Sequence, residues 1–295
     1  MAETETAGDP TGRAGQLMCG RVCVVTGASS GIGQAASVAL AGLGATVVLV
    51  CRDRGRGETA MAQVAGAATG DAPALELADL SSLQQVRALA GRLAGLPRID
   101  VLVNNAGLVI YHRQLTVDGL EHTFALNHLA PFLLTNLLVP KLEASAPARV
   151  VTVASTAHRS ARLDLDDPQL ERRYSPMLAY SNSKLANIMF TRELARRLDG
   201  TGVTANCLHP GTVRTQFGQT GSAWLKLGLM IGGPFLRSPQ AGARTVVYLA
   251  SSPEVSGESG GYYVSAKRRE PSAAARDDGA ARRLWEVSSE LTHLS

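Results

Sequence analysis

The chain has 295 residues, a 45% apolar composition, a net charge of +4 and four cysteines. That length buries one large core, and the charge is too small and too dispersed to mark a nucleic-acid-binding protein. Cys19, Cys23, Cys51 and Cys207 show neither metal-ligand spacing nor a disulfide framework, so a reducing, cytoplasmic setting is the expectation.

Residues 1–16 are small, polar and acidic, unlike a signal or transit peptide, and read as a disordered N-terminal segment. Residues 17–295 read as one domain. Short apolar runs at 22–26, 46–50, 74–77, 99–104, 149–154, 203–208 and 261–264 predict strands. Helical patterns lie between them at 32–43, 56–65, 83–93, 117–143, 175–198 and 239–250. The strand runs are continuous rather than alternating, the mark of a sheet covered on both faces. The expected fold is therefore a single doubly wound α/β domain, with a parallel sheet of about seven strands and ligands at their carboxyl ends. No apolar stretch reaches the ~18 residues of a membrane span. The basic run Lys267-Arg268-Arg269 reads as a solvated loop.

Two segments depart from the alternation. Residues 216–238 carry Trp224, Leu225, Leu227, Leu229, Met230, Ile231, Phe235 and Leu236 among glycines. They read as a lid over a lipophilic substrate or, equally, as packing against the protein or a subunit interface. Residues 277–294 read as one amphipathic C-terminal helix.

The first strand runs directly into Thr26-Gly27-Ala28-Ser29-Ser30-Gly31-Ile32-Gly33 and then a helix. Glycines at such a turn let backbone approach a pyrophosphate seated at the helix N-terminus. The second strand ends on Cys51, Arg52 and Asp53. A carboxylate at that tip would accept from an NAD ribose, whereas a guanidinium suits the 2′-phosphate of NADP. Asp53 lies past the tip beside Arg52, with which it would pair. NADP(H) is the expected cofactor, and NAD(H) the alternative.

Tyr180 and Lys184 stand four apart in a helical pattern, which puts them on one face a turn apart. An ammonium there favours the phenolate and draws a pKa of ~10 toward the working range of an acid-base catalyst. Tyr263 and Lys267 repeat the spacing on what reads as extended chain. There the side chains would stand roughly 13 Å apart, at about 3.3 Å per residue, too far to share a proton. Tyr174 has Leu178 where a lysine would be needed.

These residues spell out a family. The glycine-rich turn, Asn104-Asn105-Ala106-Gly107, a serine after the fifth strand and Tyr180-x-x-x-Lys184, in that order, resemble the short-chain dehydrogenase/reductase family. The stretches 127–135, 179–187 and 208–214 look most like its retinol dehydrogenase-like branch, where insertions such as 159–176, between Ser155 and Tyr180, also occur.

The resemblance implies a Rossmann-type domain and an oxidoreductase that interconverts an alcohol and a carbonyl. Tyr180 would exchange a proton with the substrate oxygen, and Ser155 would hydrogen-bond that oxygen. Lys184 would lower the Tyr180 pKa and bind the nicotinamide ribose. Asn127 would anchor a relay water; alone, it would read as an exposed helix residue. Ala154 stands where many members have a first serine, and Thr156 is the rival hydroxyl. Gly27, Ser29, Ser30, Gly31, Ile32 and Gly33 would hold the phosphates, with Ser30 and Arg52 on the 2′-phosphate. Asp79 and Leu80 would meet the adenine, although Asp79 equally suits a helix N-cap. Asn105, Ala106 and Gly107 would line the adenine-ribose side, and Pro210, Gly211, Val213 and Thr215 the nicotinamide.

His112, His128, His158 and His209 lack chelating spacing, and no metal is expected. The expected partner is a small lipophilic alcohol or carbonyl; a homo-oligomer stays open. A ketoreductase tailoring a secondary metabolite would use the same four residues. A non-catalytic NADP(H)-sensing regulator is the rival of another class, and the presence of both Tyr180 and Lys184 argues against it.

Overall fold

The computed structural model describes residues 17–211 and 238–294. Eight strands form one sheet in the order β3-β2-β1-β4-β5-β6-β7-β8. They are β1 (Val22–Thr26), β2 (Thr46–Cys51), β3 (Ala74–Leu77), β4 (Val101–Asn104), β5 (Ala148–Val153), β6 (Val203–His209), β7 (Tyr262–Val264) and β8 (Lys267–Arg269). The first seven run parallel and β8 is antiparallel to β7. Strand order reverses between β1 and β4, the place where a crevice opens at the carboxyl ends of a doubly wound sheet.

The seven helices, again among the described residues, cover both faces. Alternate β1 side chains divide between the two layers: Val22 and Val24 enter one apolar cluster, Cys23 and Val25 the other. The second layer holds α1 (Gly31–Gly42), α2 (Arg54–Ala67) and α6 (Pro239–Ser251). The first holds α3 (Leu83–Ala94), the helical run α4 (residues 122–144), α5 (Pro176–Arg197) and the C-terminal α7 (Asp278–Thr292). Burying continuous Val and Leu strands between helices gains about 25 cal/mol per Å² of apolar surface. This arrangement explains why the strand sequences do not alternate.

Two sequence expectations need correction. The helix expected from residue 117 starts at His122. Residues 115–121 turn instead through Gly119 at φ 75°, and Leu115 bridges Glu121. Glu121 then caps the helix, its carboxylate accepting the Thr123 and Phe124 N–H groups at 2.9 and 2.7 Å. Helix α4 begins as His122–Phe124, widens into a π-helical turn over Ala125–Leu129, and continues as Ala130–Ala144.

The basic run 267–269 is strand β8 rather than a loop. Ser265 and Ala266 adopt φ 52° and 58° and fold the chain into a two-residue hairpin. Tyr263 and Lys267 are therefore not joined by extended chain. Val264 pairs with Lys267 and Tyr263 with Arg268, so Tyr263 and Lys267 point to opposite faces. They still cannot share a proton, for this different reason.

The C-terminal helix appears where it was expected. Asp277 Oδ1 accepts the Ala280 N–H at its start, and His293 closes it in the left-handed region at φ 50°. Its buried face carries Ala281, Leu284, Val287, Ser288 and Thr292. Trp285 stacks edge-on to Phe132 at 5.0 Å, with the Arg197 guanidinium 4.1 Å from its ring. The expected N-terminal segment 1–16 and the substance of the 216–238 insertion lie outside the described residues.

Candidate active site

The glycine-rich turn is built for close backbone approach. Gly27 has φ +65°, and a Cβ there would stand 2.8 Å from the Ala106 Cα. A Cβ on Gly33 would meet the Asn105 Nδ2 and the Gly27 carbonyl, each at 2.4 Å. Asn105 thus works on the turn itself: its Nδ2 donates to the Thr26 carbonyl at 2.8 Å and to the Gly27 carbonyl at 3.2 Å. The Thr26 hydroxyl completes the clamp, accepting from the Asn105 and Ala106 N–H groups at 3.0 and 3.1 Å.

Ser30 occupies the N-cap of α1, and its side chain caps no amide. The first-turn amides at Gly31, Ile32 and Gly33 are consequently left for an anion at a positive helix end. A dinucleotide pyrophosphate fits this cradle. Ser29, expected on the phosphates, turns its hydroxyl to the buried Cys51 thiol. At the tip of β2, Arg52 is exposed and Asp53 caps α2 by accepting the Arg56 N–H at 2.8 Å. The expected Arg52–Asp53 pair gives way to that cap.

On the adenine side, Asp79 is not the cap of α3. Ser82 takes that role, accepting from the Gln85 N–H, while Asp79 Oδ1 binds the Ser81 N–H and hydroxyl at 2.9 and 2.7 Å. Leu80 and Ala106 border a small cleft with Thr26 and Asn104. Gly107 sits elsewhere than expected. A Cβ on it would lie 3.2 Å from Asn127 Oδ1 and 3.4 Å from Lys184 Nζ, which places it beside the ammonium.

Ser155, Tyr180, Lys184 and Asn127 come together at the carboxyl edge. Residues 159–176 return the chain from Ser155 to α5 and are pinned at both ends. Asn182 exchanges hydrogen bonds with Arg162 at 2.9 and 3.2 Å, and the Tyr174 hydroxyl donates to the Ile110 carbonyl at 2.6 Å. The Ser155 and Tyr180 hydroxyls consequently hydrogen-bond each other across 25 positions of sequence. Ser155 also caps the 3-10 turn Thr156–Ser160 through the Ala157 N–H. Thr156 faces away and is exposed, its N–H directed to His209 Nδ1.

Lys184 is buried, with its Nζ 5.5 Å from the Tyr180 ring centroid and donating to the Val153 carbonyl at 3.1 Å. Burial lowers its pKa to about 8. Burial also raises the Tyr180 pKa, against a downward pull from Ser155. In the protein alone, removal from water disfavours both charged forms, so the phenol lies above its ordinary value rather than below it. Asn127, expected as a water anchor or an exposed residue, is fully buried in the wide turn of α4. Its Oδ1 accepts the Leu108 N–H at 2.8 Å, and its Nδ2 donates to the Leu108 carbonyl and Ser183 Oγ.

Pro210 and Gly211 follow β6 at the same edge, whereas Val213 and Thr215 lie outside the described residues. Two histidines without an assigned role also reach the site. His158 Nδ1 lies 2.6 Å from the Ser155 carbonyl while its Nε2 accepts the Ser272 N–H, and His209 receives Thr156. No group of three metal-ligating side chains occurs among the described residues, and no helix there is long and apolar enough to cross a membrane.

The glycine cradle, the reversal of strand order and the Ser–Tyr–Lys cluster together define a nicotinamide-dependent dehydrogenase site. The chain belongs to the short-chain dehydrogenase family, whose model matches residues 21–226, and is an NAD(P)-dependent oxidoreductase acting on CH–OH groups. It is 44% identical to retinol dehydrogenase 14 of Homo sapiens, over 94% of this chain and 88% of that protein. With retinol dehydrogenase 12 of Homo sapiens it shares 42% identity over 92% of this chain and 86% of the relative. The crystal structure of an uncharacterised protein from Mycobacterium paratuberculosis superposes with a TM-score of 0.76 at 36% identity, covering 93% and 94% of the two chains. A protein from Beutenbergia cavernae, assigned as an NAD(P)-dependent gluconate 5-dehydrogenase and holding NADP at low occupancy, superposes at 0.69 with 29% identity. That match covers 85% of this chain and 97% of the other.

Proposed function

We propose that the protein interconverts a lipophilic alcohol and its aldehyde or ketone with NADP(H), with Tyr180 as the proton-exchanging group. The observation that carries this reading is the Ser155–Tyr180 hydroxyl pair beside the buried Lys184. A bound nicotinamide supplies hydride in reduction and takes it in oxidation. Ser155 orients the substrate oxygen toward the phenol. Tyr180 gives that oxygen its proton in reduction and takes it back in oxidation. A phenol kept protonated by burial is ready for the first of these. Lys184 holds the positive end of the site, and Asn127 braces the 108 strand-end loop against α5 with Oδ1 free to accept from one further donor.

Arg52 supports NADP(H), because Asp53, its rival for the ribose, is committed to capping α2. The retinol dehydrogenase relatives and the apolar run Leu108-Val109-Ile110, which leaves from beside Asn127, favour a retinoid-like substrate.

The test is NADPH oxidation with all-trans-retinal, ketosteroids, quinones and simple aldehydes, repeated with NADH. Tyr180→Phe should lower kcat by ~100-fold or more while NADPH binding persists. Wild-type protein that binds NADPH yet reduces none of these carbonyls would sink the reading. Arg52→Ala should raise the KM for NADPH by about tenfold or more and leave NADH unaffected. A wild-type preference for NADH would remove the role given to Arg52.

A further inference from the structure

His128 takes no part in the chemistry above, yet it is fully buried beside Asn127 in the wide turn of α4. Its Nε2 lies 2.9 Å from Ser288 Oγ on the C-terminal helix, and its Nδ1 lies 3.4 Å from Asn187 Oδ1 on α5. Asn187 Nδ2 in turn donates at 3.4 Å to the Val153 carbonyl, the acceptor that also holds Lys184 Nζ.

The donors and acceptors in this chain can be assigned. Asn187 must present its N–H₂ to the Val153 carbonyl, because a flipped amide would set two oxygens face to face. Its Oδ1 is then the acceptor, so His128 carries its proton on Nδ1 and accepts the Ser288 O–H at Nε2. Burial keeps the ring neutral, with its pKa down at about 4, as this arrangement requires. Phe124, Phe132 and Phe190 enclose the ring.

We propose that His128 is a positioning residue: it couples the seat of the C-terminal helix, through Ser288, to the Asn127 turn and to the carbonyl that holds the Lys184 ammonium. Two routes run from the same ring. Through Asn187 it steadies the Val153 carbonyl, and through its own backbone it fixes the turn from which Asn127 reaches Leu108 and Ser183. The inference rests on the proton chemistry assigned to Tyr180 and Lys184. It makes α7, which packs on α4 and α5 through Trp285, part of the active-site scaffold.

Lys184 provides a readout independent of turnover. Tyr180, on its own helix, is the titratable group beside it; His128 reaches it only through Asn187 and the Val153 carbonyl, and burial alone moves its pKa among the described residues. Lys141, Lys184, Lys226 and Lys267 are the chain's only lysines. NMR of the full protein with isotope-labelled lysine therefore gives few signals, and Lys184→Arg assigns the one of interest. In Ser288→Ala and His128→Phe the Lys184 titration should move down by about 0.5 unit, since a loosened carbonyl stabilises the ammonium less. The other three lysines should stay in place. His128→Asn, which can still present an N–H to Asn187, should recover part of the shift, and kcat should follow the same order with dinucleotide binding little changed.

Unaltered Lys184 titration in Ser288→Ala overturns the proposal, even where stability falls, because His128 would then be ordinary core packing. Ser288→Ala removes one buried hydroxyl and carries the test should His128→Phe fail to fold. A shifted Lys184 in a protein that reduces no carbonyl would retain the coupling and reject the proposed activity. Normal turnover with an unmoved Lys184 would do the reverse.

Discussion

Gly33 sits at ordinary helical angles, so it is needed for space rather than for backbone freedom. The 2.4 Å approaches of an added Cβ involve the Asn105 amide and the Gly27 carbonyl, the two groups that clamp the phosphate turn. Gly33→Ala should push the turn out of register and weaken dinucleotide binding by about tenfold or more, equivalent to about 1.4 kcal/mol. A fluorescence titration with NADPH measures this, and wild-type affinity in Gly33→Ala would refute the clamp. The position of Gly33 is legible in the sequence; the reason for it is not, because Asn105 is 72 residues away. The Tyr180 titration shows the same limit. The spacing of Tyr180 and Lys184 predicts their shared face, but how far each is drawn from water depends on α4, β5 and the 159–176 segment. Burial outweighs the pull of the Ser155 hydroxyl.

At the scale of elements, the central strands β1, β2, β4, β5 and β6 are readable because they are mostly apolar runs largely buried on both sides, whereas the edge strand β3, with Glu76, is only partly covered. The π-helical turn over Ala125–Leu129 has no such signal: neither glycine nor proline marks it, and it is defined by the buried Asn127 and His128 contacts. The start of α4 was misplaced because Val117 continues the apolar spacing, although it is one of the most exposed apolar side chains. The true signal is Glu121, a cap recognisable only once its carboxylate is seen on two backbone amides. The C-terminal helix was legible from its amphipathic pattern, and its anchor is Trp285. Replacing Trp285 by alanine removes contacts to Phe132 and Phe190 and the Arg197 cation–π contact. It should cost about 3 kcal/mol in urea unfolding. A loss under about 1 kcal/mol would mean that α7 is held mainly by Leu284 and Ala281.

Across the whole molecule, acid stability should follow its buried histidines. Histidine normally titrates near 6.5, and burial holds His128 at about 4 and moves His158 in the same direction. Between those two pH values the unfolded chain binds protons that the folded imidazole refuses, so stability falls as pH falls through the window. For His128 the loss between pH 7 and 5 is about 2 kcal/mol. Urea midpoints should therefore drop over that range, with a shallower slope in His128→Phe; equal slopes would refute the assignment. These histidines carry no local signal of a structural role in the sequence. Their partners Ser288 and Ser272 stand 160 and 114 positions away.

The hairpin at Ser265 and Ala266 has one more consequence. It sets Lys267, Arg268 and Arg269, all exposed, along the outermost strand of the sheet. An edge strand offers a row of unpaired backbone groups to any passing strand, and a second copy of this chain would bring an identical strand. Arg268 is paired with Glu258, but Lys267 and Arg269 of each copy would meet their counterparts, so edge-to-edge joining is opposed by like-charge repulsion. The basic run thus opposes sheet extension by a second copy at this edge.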